Sequence, residues 1–256
     1  MLRVVAVTQS DPFFTGRFFE TFLRESAGLP LEIVEIVLLR NFNESSAALA
    51  HRLWKLYGTV DMIRLLGRYA RARVAEWLGR PRRVEAVAAE HAIPIRHLAT
   101  INYPAYLRTL GIRGVDVLLS VAAPEIFRAA ALRAAPHVLN VHCGKLPKYR
   151  GMMPTFWALH NGEREITITV HRMAEQVDGG DVLAEYPVPI TPDDSAFDLA
   201  VRAKRVAGPA VAQLLARLPT AAAPTPRPVD PALQRYFRFP TRLQALELRA
   251  AGRRML

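Results

Sequence analysis

Short β-branched runs alternate with amphipathic stretches along the first half of the chain. Residues 3–8 (RVVAVT) and 31–39 (LEIVEIVLL) read as buried strands. Between them, residues 14–26 place Phe18, Phe19, Phe22 and Leu23 on one helical face. Strand, helix, strand is the opening of a parallel α/β sheet. The same rhythm predicts strands at 93–98, 115–121 and 137–142, and helices at 82–91, 104–110 and 124–134, the last behind Pro124. Later come a helix at 153–161, strands at 166–173 and 182–190, and a long helix at 194–218 capped by Asp193 or Asp194. The link between the last two strands is too short for a crossover, so they are expected to pair antiparallel. No internal repeat is visible.

Residues 44–79 are helical by period, with Leu49, Leu53, Leu56, Val60 and Ile63 and then Leu66, Ala70, Val74, Trp77 and Leu78 at helical spacing. Gly58 and Gly67 are expected to divide the stretch into two or three helices. Arg52, Lys55, Arg64, Arg68, Arg71 and Arg73 make its other face basic. Such a stretch reads as a core-packed helix pair with a solvated face, or as a surface for a membrane or RNA. Residues 220–230 are Pro- and Ala-rich, a linker by composition. The basic segment 231–256 is too short for a core of its own. The expected division is a catalytic domain, 1–219, with a helical insertion at about 44–79, followed by a Pro-rich linker and short basic tail, 220–256.

Composition narrows the function classes. Of 256 residues, 51% are hydrophobic and 22% charged, so a packed core is within reach and disorder is not expected. The formal net charge of +11 leaves a polyanionic partner open, although Arg is abundant everywhere. One cysteine, Cys143, excludes a disulfide framework or a four-thiolate zinc site within one chain and points to reduced cytoplasm. The first apolar run is too short for a signal peptide or membrane span. The seven histidines show no metal-ligand spacing, so no metal is expected.

The densest chemistry lies in 140–154, NVHCGKLPKYRGMMP. Asn140 and His142 end a buried strand, two residues apart and so on one face, where open α/β sheets bind ligands. An amide donor beside an imidazole suits a developing oxyanion. In 174–181, AEQVDGGD, the pair Gly179 and Gly180 builds a tight turn presenting Asp178. A carboxylate that reaches a histidine sets its tautomer and raises its basicity. Spacing alone does not bring the two loops together.

Taken together, NVHCGKLPKYRGMMPTFWALHNGE, TVHRM and VDGGDVL resemble the catalytic core of the folate-dependent formyltransferases, which include glycinamide ribonucleotide, methionyl-tRNA and sugar N-formyltransferases. The family pattern of Asn-x-His, LP-x-x-x-G and a later Asp-x-Gly falls on Asn140 and His142, on Leu146, Pro147 and Gly151, and on Asp178. VDVLLSVAAPEIF, 115–127, resembles the family's strand and folate loop. The resemblance is good over about 110–210 and looser before it.

The resemblance implies a Rossmann-like formyltransferase fold and transfer of a formyl group from 10-formyltetrahydrofolate, the co-substrate, to an amine of a small acceptor such as an amino sugar or biosynthetic intermediate. It implies that Asn140 and His142 stabilise the oxyanion, and that Asp178 orients or charges His142 and helps remove the amine's proton. It further implies a pterin held between Ala122, Ala123, Pro124 and Ile126 on one side and Glu175, Gln176 and Val177 on the other. His171 matches a family histidine, with a supporting or a strand-packing role. The alternatives are a methionyl-tRNA formyltransferase-like enzyme without the C-terminal barrel, with tRNA the less favoured partner, and a formyltetrahydrofolate hydrolase. Three departures bear on the acceptor. Cys143 and Gly144 stand where many members have a small residue and Ser, TQSDPFFTGRF replaces the purine enzyme's glycine-rich phosphate loop, and the stretch 44–79 is longer than the family core needs.

Overall fold

The computed structural model describes residues 1–40, 46–79 and 83–256. Among the described residues there are nine strands: β1 (Leu2–Gln9), β2 (Leu31–Leu39), β3 (Ile95–Leu98), β4 (Val117–Val121), β5 (His137–His142), β6 (Arg150–Gly151), β7 (Glu165–Arg172), β8 (Val182–Pro189) and β9 (Tyr236–Phe237). The α-helices are α1 (Thr15–Ser26), α2 (Ser46–Trp77), α3 (Val84–Glu90), α4 (Pro104–Ile112), α5 (Pro154–His160), α6 (Ala196–Arg217) and α7 (Arg242–Ala250). The starts expected at 44 for α2 and at 82 for α3 lie outside the described residues.

Seven strands form one sheet in the order β3-β2-β1-β4-β5-β7-β8. The first five are parallel, and β5, β7 and β8 pair antiparallel. The sheet is therefore the expected mostly parallel one with a late antiparallel pair. Alternate residues of β1 feed two cores. Val4 and Ala6 face a large cluster under α1, α5 and α6, whereas Val5 and Val7 face a smaller one under α4.

Local chemistry explains where the structure departs from the sequence pattern. The helix expected at 124–134 is absent; after an irregular segment only a 3-10 turn, Ala131–Arg133, forms. The Glu125 carboxylate accepts from Thr100, from the Ile101 N–H and from Asn102, while Asn102 also binds the Ile126 carbonyl and the Arg128 N–H. Those side-chain bonds hold backbone groups that a helix would otherwise use. Gly67 does not break α2, because its helical neighbours continue through it; only Gly58, at φ 75°, is non-helical inside the helix. Ser195, rather than Asp193 or Asp194, caps α6 by accepting from the Asp198 N–H. Asp194 instead binds the Thr191 N–H and Arg202. Of the apolar positions expected on the core face of α2, Leu56 is buried and Leu53 packs partly buried against the main cluster, but Val60, Ile63, Leu66, Val74, Trp77 and Leu78 are exposed; Tyr57 and Leu65, off the expected stripe, are buried instead.

The segment after 230 lies against the body of the fold. Ala245, Leu248, Met255 and Leu256 are buried in the main cluster, and β9 pairs with β6. Among the described residues, no helix is long and apolar enough to cross a membrane.

Helices α1 and α6 meet at Gly208, where an added Cβ would lie 2.0 Å from Thr21 Oγ1 and 2.7 Å from the Phe22 nitrogen. Gly208→Ala is expected to lower stability by about 1–3 kcal/mol in urea denaturation, because overpacking outweighs the helix propensity gained. Gly67→Ala meets nothing within 4 Å. It should raise stability by about 0.5–1 kcal/mol, so the two variants should shift the midpoint in opposite directions.

Candidate active site

The turn from parallel to antiparallel pairing creates the site. Residues Asn140 and His171 are direct partners across β5 and β7, and facing residues of such a pair present their side chains on the same face. Asn140 Nδ2 lies 3.1 Å from His171 Nε2, and the other ring nitrogen of His171, Nδ1, donates to the Arg172 carbonyl at 2.8 Å. His171 Nε2 is thereby left as the acceptor for Asn140. The sequence left His171 between a supporting and a packing role; the structure gives it a defined polar contact.

Asp178 reaches the same spot from the loop after β7. Its backbone is left-handed, with φ 50°, a conformation that Asp tolerates better than most residues. Gly180 lets that loop close, since a Cβ there would lie 2.0 Å from the Arg172 carbonyl oxygen. The carboxylate Oδ2 accepts the Gly151 N–H at 2.8 Å, and Oδ1 lies 3.4 Å from Asn140 Nδ2, 3.6 Å from His171 Nε2 and 3.7 Å from His142 Nδ1. The structure thus brings Asn140, His142 and Asp178 together and adds His171.

His142 is held from its far side. Its Nε2 lies 2.6 Å from the Tyr149 carbonyl oxygen and must donate to it. In the neutral ring, Nδ1 is then a bare acceptor turned toward Asp178. Burial pushes the His142 pKa below its ordinary value, against the charge of Asp178 and the Tyr149 contact, which act the other way. Burial alone would raise Asp178, but a positive charge on His142, whenever that ring is protonated, and the Gly151 N–H hold it well below the usual carboxylate range. The Gly151 and Asn140 donors remain when His142 is neutral, so we take Asp178 as ionised beside a neutral His142 near pH 7.

The loop carrying Tyr149 and Gly151 is fixed by residues that the sequence pattern did not single out. Arg150 is buried; its Nε donates to the Val177 carbonyl at 2.8 Å and its Nη1 to Gln234 at 2.6 Å. Gln176 donates to the same Gln234 oxygen at 3.2 Å. The Met152 N–H binds the Phe237 carbonyl, and Gly151, at φ 96°, has no room for a Cβ, which would lie 2.3 Å from that oxygen. Nothing in the local sequence signalled Arg150 or Gln234, whose bonds join segments distant in the chain.

The other expected residues flank this centre. Ala122, at φ 52°, begins the loop after β4 with Ala123, Pro124 and exposed Ile126, while Glu175, Gln176 and Val177 precede Asp178. The two loops leave strands on opposite sides of β5. Among the described residues no hydrogen bond joins them; Ala123 and Met173 pack against the same apolar cluster. The Val177 carbonyl is already taken by Arg150. Among the described residues, no group of three or more His, Cys, Asp or Glu could hold a metal ion.

At the start of α1, Asp11 fills the place of the missing phosphate loop, accepting the N–H groups of Phe13, Phe14 and Thr15 at 2.8, 2.5 and 2.9 Å. A cavity of about 580 Å³, lined by Ser10, Leu39, Arg40, Glu85, His97 and Leu98 among others, opens at the carboxyl ends of β2 and β3.

Residues 37–215 match the sequence model of the formyl transferase family. Among solved structures, the sugar 3N-formyl transferase WlaRD, determined in the presence of dTDP and 5-N-formyl-THF, is 17% identical. That match covers 93% of this chain and 70% of its own, with a TM-score of 0.59. Glycinamide ribonucleotide transformylase 1 from Symbiobacterium toebii is 18% identical over 90% of this chain and 95% of its own, with a TM-score of 0.58. An N-formyltransferase from Helicobacter canadensis, in complex with folinic acid and dTDP-3-aminofucose, is 14% identical over 93% and 71%, with a TM-score of 0.61. At these identities the likeness is one of fold.

The His142 environment has a measurable pH signature. Between its depressed folded value and the ordinary value of 6.5, the unfolded chain binds a proton that the folded chain does not. Stability should therefore fall as pH drops below about 6.5, with half-buried His137 adding in the same sense. Ring NMR should show His142 titrating below its ordinary value, and lower still in Asp178→Asn, which removes the carboxylate that favours its charged form. A value above the ordinary one would contradict the geometry described.

Proposed function

Because this chain belongs to the formyl transferase family, we propose that it transfers a formyl group from 10-formyltetrahydrofolate to an amine of a small-molecule acceptor, with Asn140, His142 and Asp178 as its catalytic residues. The observation that carries the proposal is the buried polar cluster around Asp178, which joins an amide donor, a neutral imidazole and an ionised carboxylate at the end of β5. A folate donor is supported by the 5-N-formyl-THF and folinic acid named with two of the similar structures.

The chemistry needs two things, and the cluster offers both. As the amine nitrogen attacks the formyl carbon, negative charge builds on the formyl oxygen. Asn140 Nδ2 donates to that oxygen, exchanging its long 3.4 Å contact with Asp178 for a shorter one. The amine's proton passes to His142 Nδ1, directly or through a water. Asp178 stabilises the resulting imidazolium, which then adds its positive charge beside the oxygen. The proton goes to the carrier nitrogen as its bond to the formyl carbon breaks. His171 positions Asn140. In this proposal Ala122, Ala123, Pro124, Ile126, Glu175, Gln176 and Val177 line the pterin site. Residues 1–219 form the catalytic domain, and 220–256 comprise the linker and the segment that braces the loop at Gly151.

The acceptor is assigned to the other end of the same sheet edge, where ligands collect in parallel α/β folds. The cavity beside Arg40 and His97 suits it. Asp11 blocks the start of α1 as a phosphate cradle, so the acceptor's anionic group, if it has one, binds elsewhere than in the purine enzyme.

The test is turnover of 10-formyltetrahydrofolate with a panel of amino sugars and small amines, reading released tetrahydrofolate. His142→Ala and Asp178→Asn should each reduce kcat by roughly two to three orders of magnitude while the proteins stay folded. Activity within a few-fold of wild type would remove the role assigned. Formate release without any amine would make the enzyme a hydrolase, and failure to bind reduced folate would overturn the donor.

A further inference from the structure

We propose that the outer face of α2 is a docking surface for an anionic lipid bilayer. The inference is independent of the catalytic assignment. After the break at Gly58, the helix turns Leu65 and Asp61 toward the protein body. Val60, Ile63, Leu66, Val74, Trp77 and Leu78 recur at helical spacing on the opposite side, and all six are more than half exposed, Trp77 reaching 85%. An apolar stripe of this length on one surface helix is more than scattered surface hydrophobicity.

The charges decide what covers it. Arg64 and Arg71 border one side of the stripe at helical spacing and Arg73 the other. Both acidic residues of this half of the helix are turned inward and occupied. Asp61 pairs with Arg249 at 2.7 Å and with Arg64 at 3.0 Å, and Glu76 pairs with Arg83 at 3.0 Å and with Arg73 at 3.1 Å. Among the described residues, the outer face of this half of the helix therefore presents apolar side chains bordered by more arginine than carboxylate. A second copy docked face to face would set the same excess of arginine on each chain against its counterpart, because Asp61 and Glu76 are each shared between two arginines and Arg71 adds to them. An anionic bilayer complements both features: the stripe and Trp77 enter the headgroup region while the arginines meet lipid phosphates. The helix lies on the bilayer rather than across it, since it is too polar to span.

The full chain would be sedimented with vesicles of phosphatidylcholine alone and of phosphatidylcholine mixed with phosphatidylglycerol. Binding to the mixed vesicles only, weakened by added salt, is expected. Ile63→Ser combined with Trp77→Ser should weaken it by roughly tenfold or more, and Arg71→Glu should weaken it on anionic vesicles. An unchanged unfolding midpoint would show that these exposed substitutions leave the fold intact. Three results would overturn the proposal: no binding to either vesicle, equal binding to both, or a wild-type dimer in solution that Ile63→Ser dissociates.

Discussion

The Asp178 carboxylate is nearly removed from water yet ionised, a state that costs several kcal/mol unless donors surround it. They come from two places, the Gly151 N–H in the loop after β5 and the amide of Asn140 on β5, with the rings of His142 and His171 close by at 3.7 and 3.6 Å. The same charge that needs these donors also keeps them in place. Loss of any one of them would raise Asp178 toward its neutral form and release the others.

Larger elements serve this contact. The parallel strands bring Asn140 and His142 to the carboxyl edge, and the antiparallel turn at β7 sets His171 opposite Asn140. Gly180 and Gly151 remove the two side chains that would otherwise keep the loops apart. Arg150 ties the two loops by spanning from the first to the Val177 carbonyl, so the backbone just before Asp178 is fixed as firmly as its side chain.

Much of the fold could be read from local pattern because its strands are β-branched runs and its helices carry one apolar face. The readings failed where side chains compete with the backbone or where tertiary packing decides. Pro124 announced a helix, but Asn102 took the Ile126 carbonyl and the Arg128 N–H beyond it. The period of α2 was helical, yet period alone does not say which apolar positions meet the core, and most of those after Gly58 do not. Asn140 and His142 were visible at a strand end and Asp178 in a turn. Their union rested on resemblance, since Asn140 and Asp178 lie 38 positions apart in the chain, a separation that fixes no distance. His171, Arg150 and Gln234 depend on pairings between segments distant in sequence, and no local rule marks those.

The β6–β9 pairing has a consequence for how the protein comes into being. Its two partners, Arg150–Gly151 and Tyr236–Phe237, are made far apart in time on the ribosome. Phe237 supplies the carbonyl for Met152 and stacks on Tyr149, whose own carbonyl holds His142. During synthesis, the sheet can assemble from its N-terminal strands while the loop that orients His142 still lacks its brace. The nascent chain can thus form its sheet first and the organised polar cluster around Asp178 last, when residues well beyond the sheet have emerged.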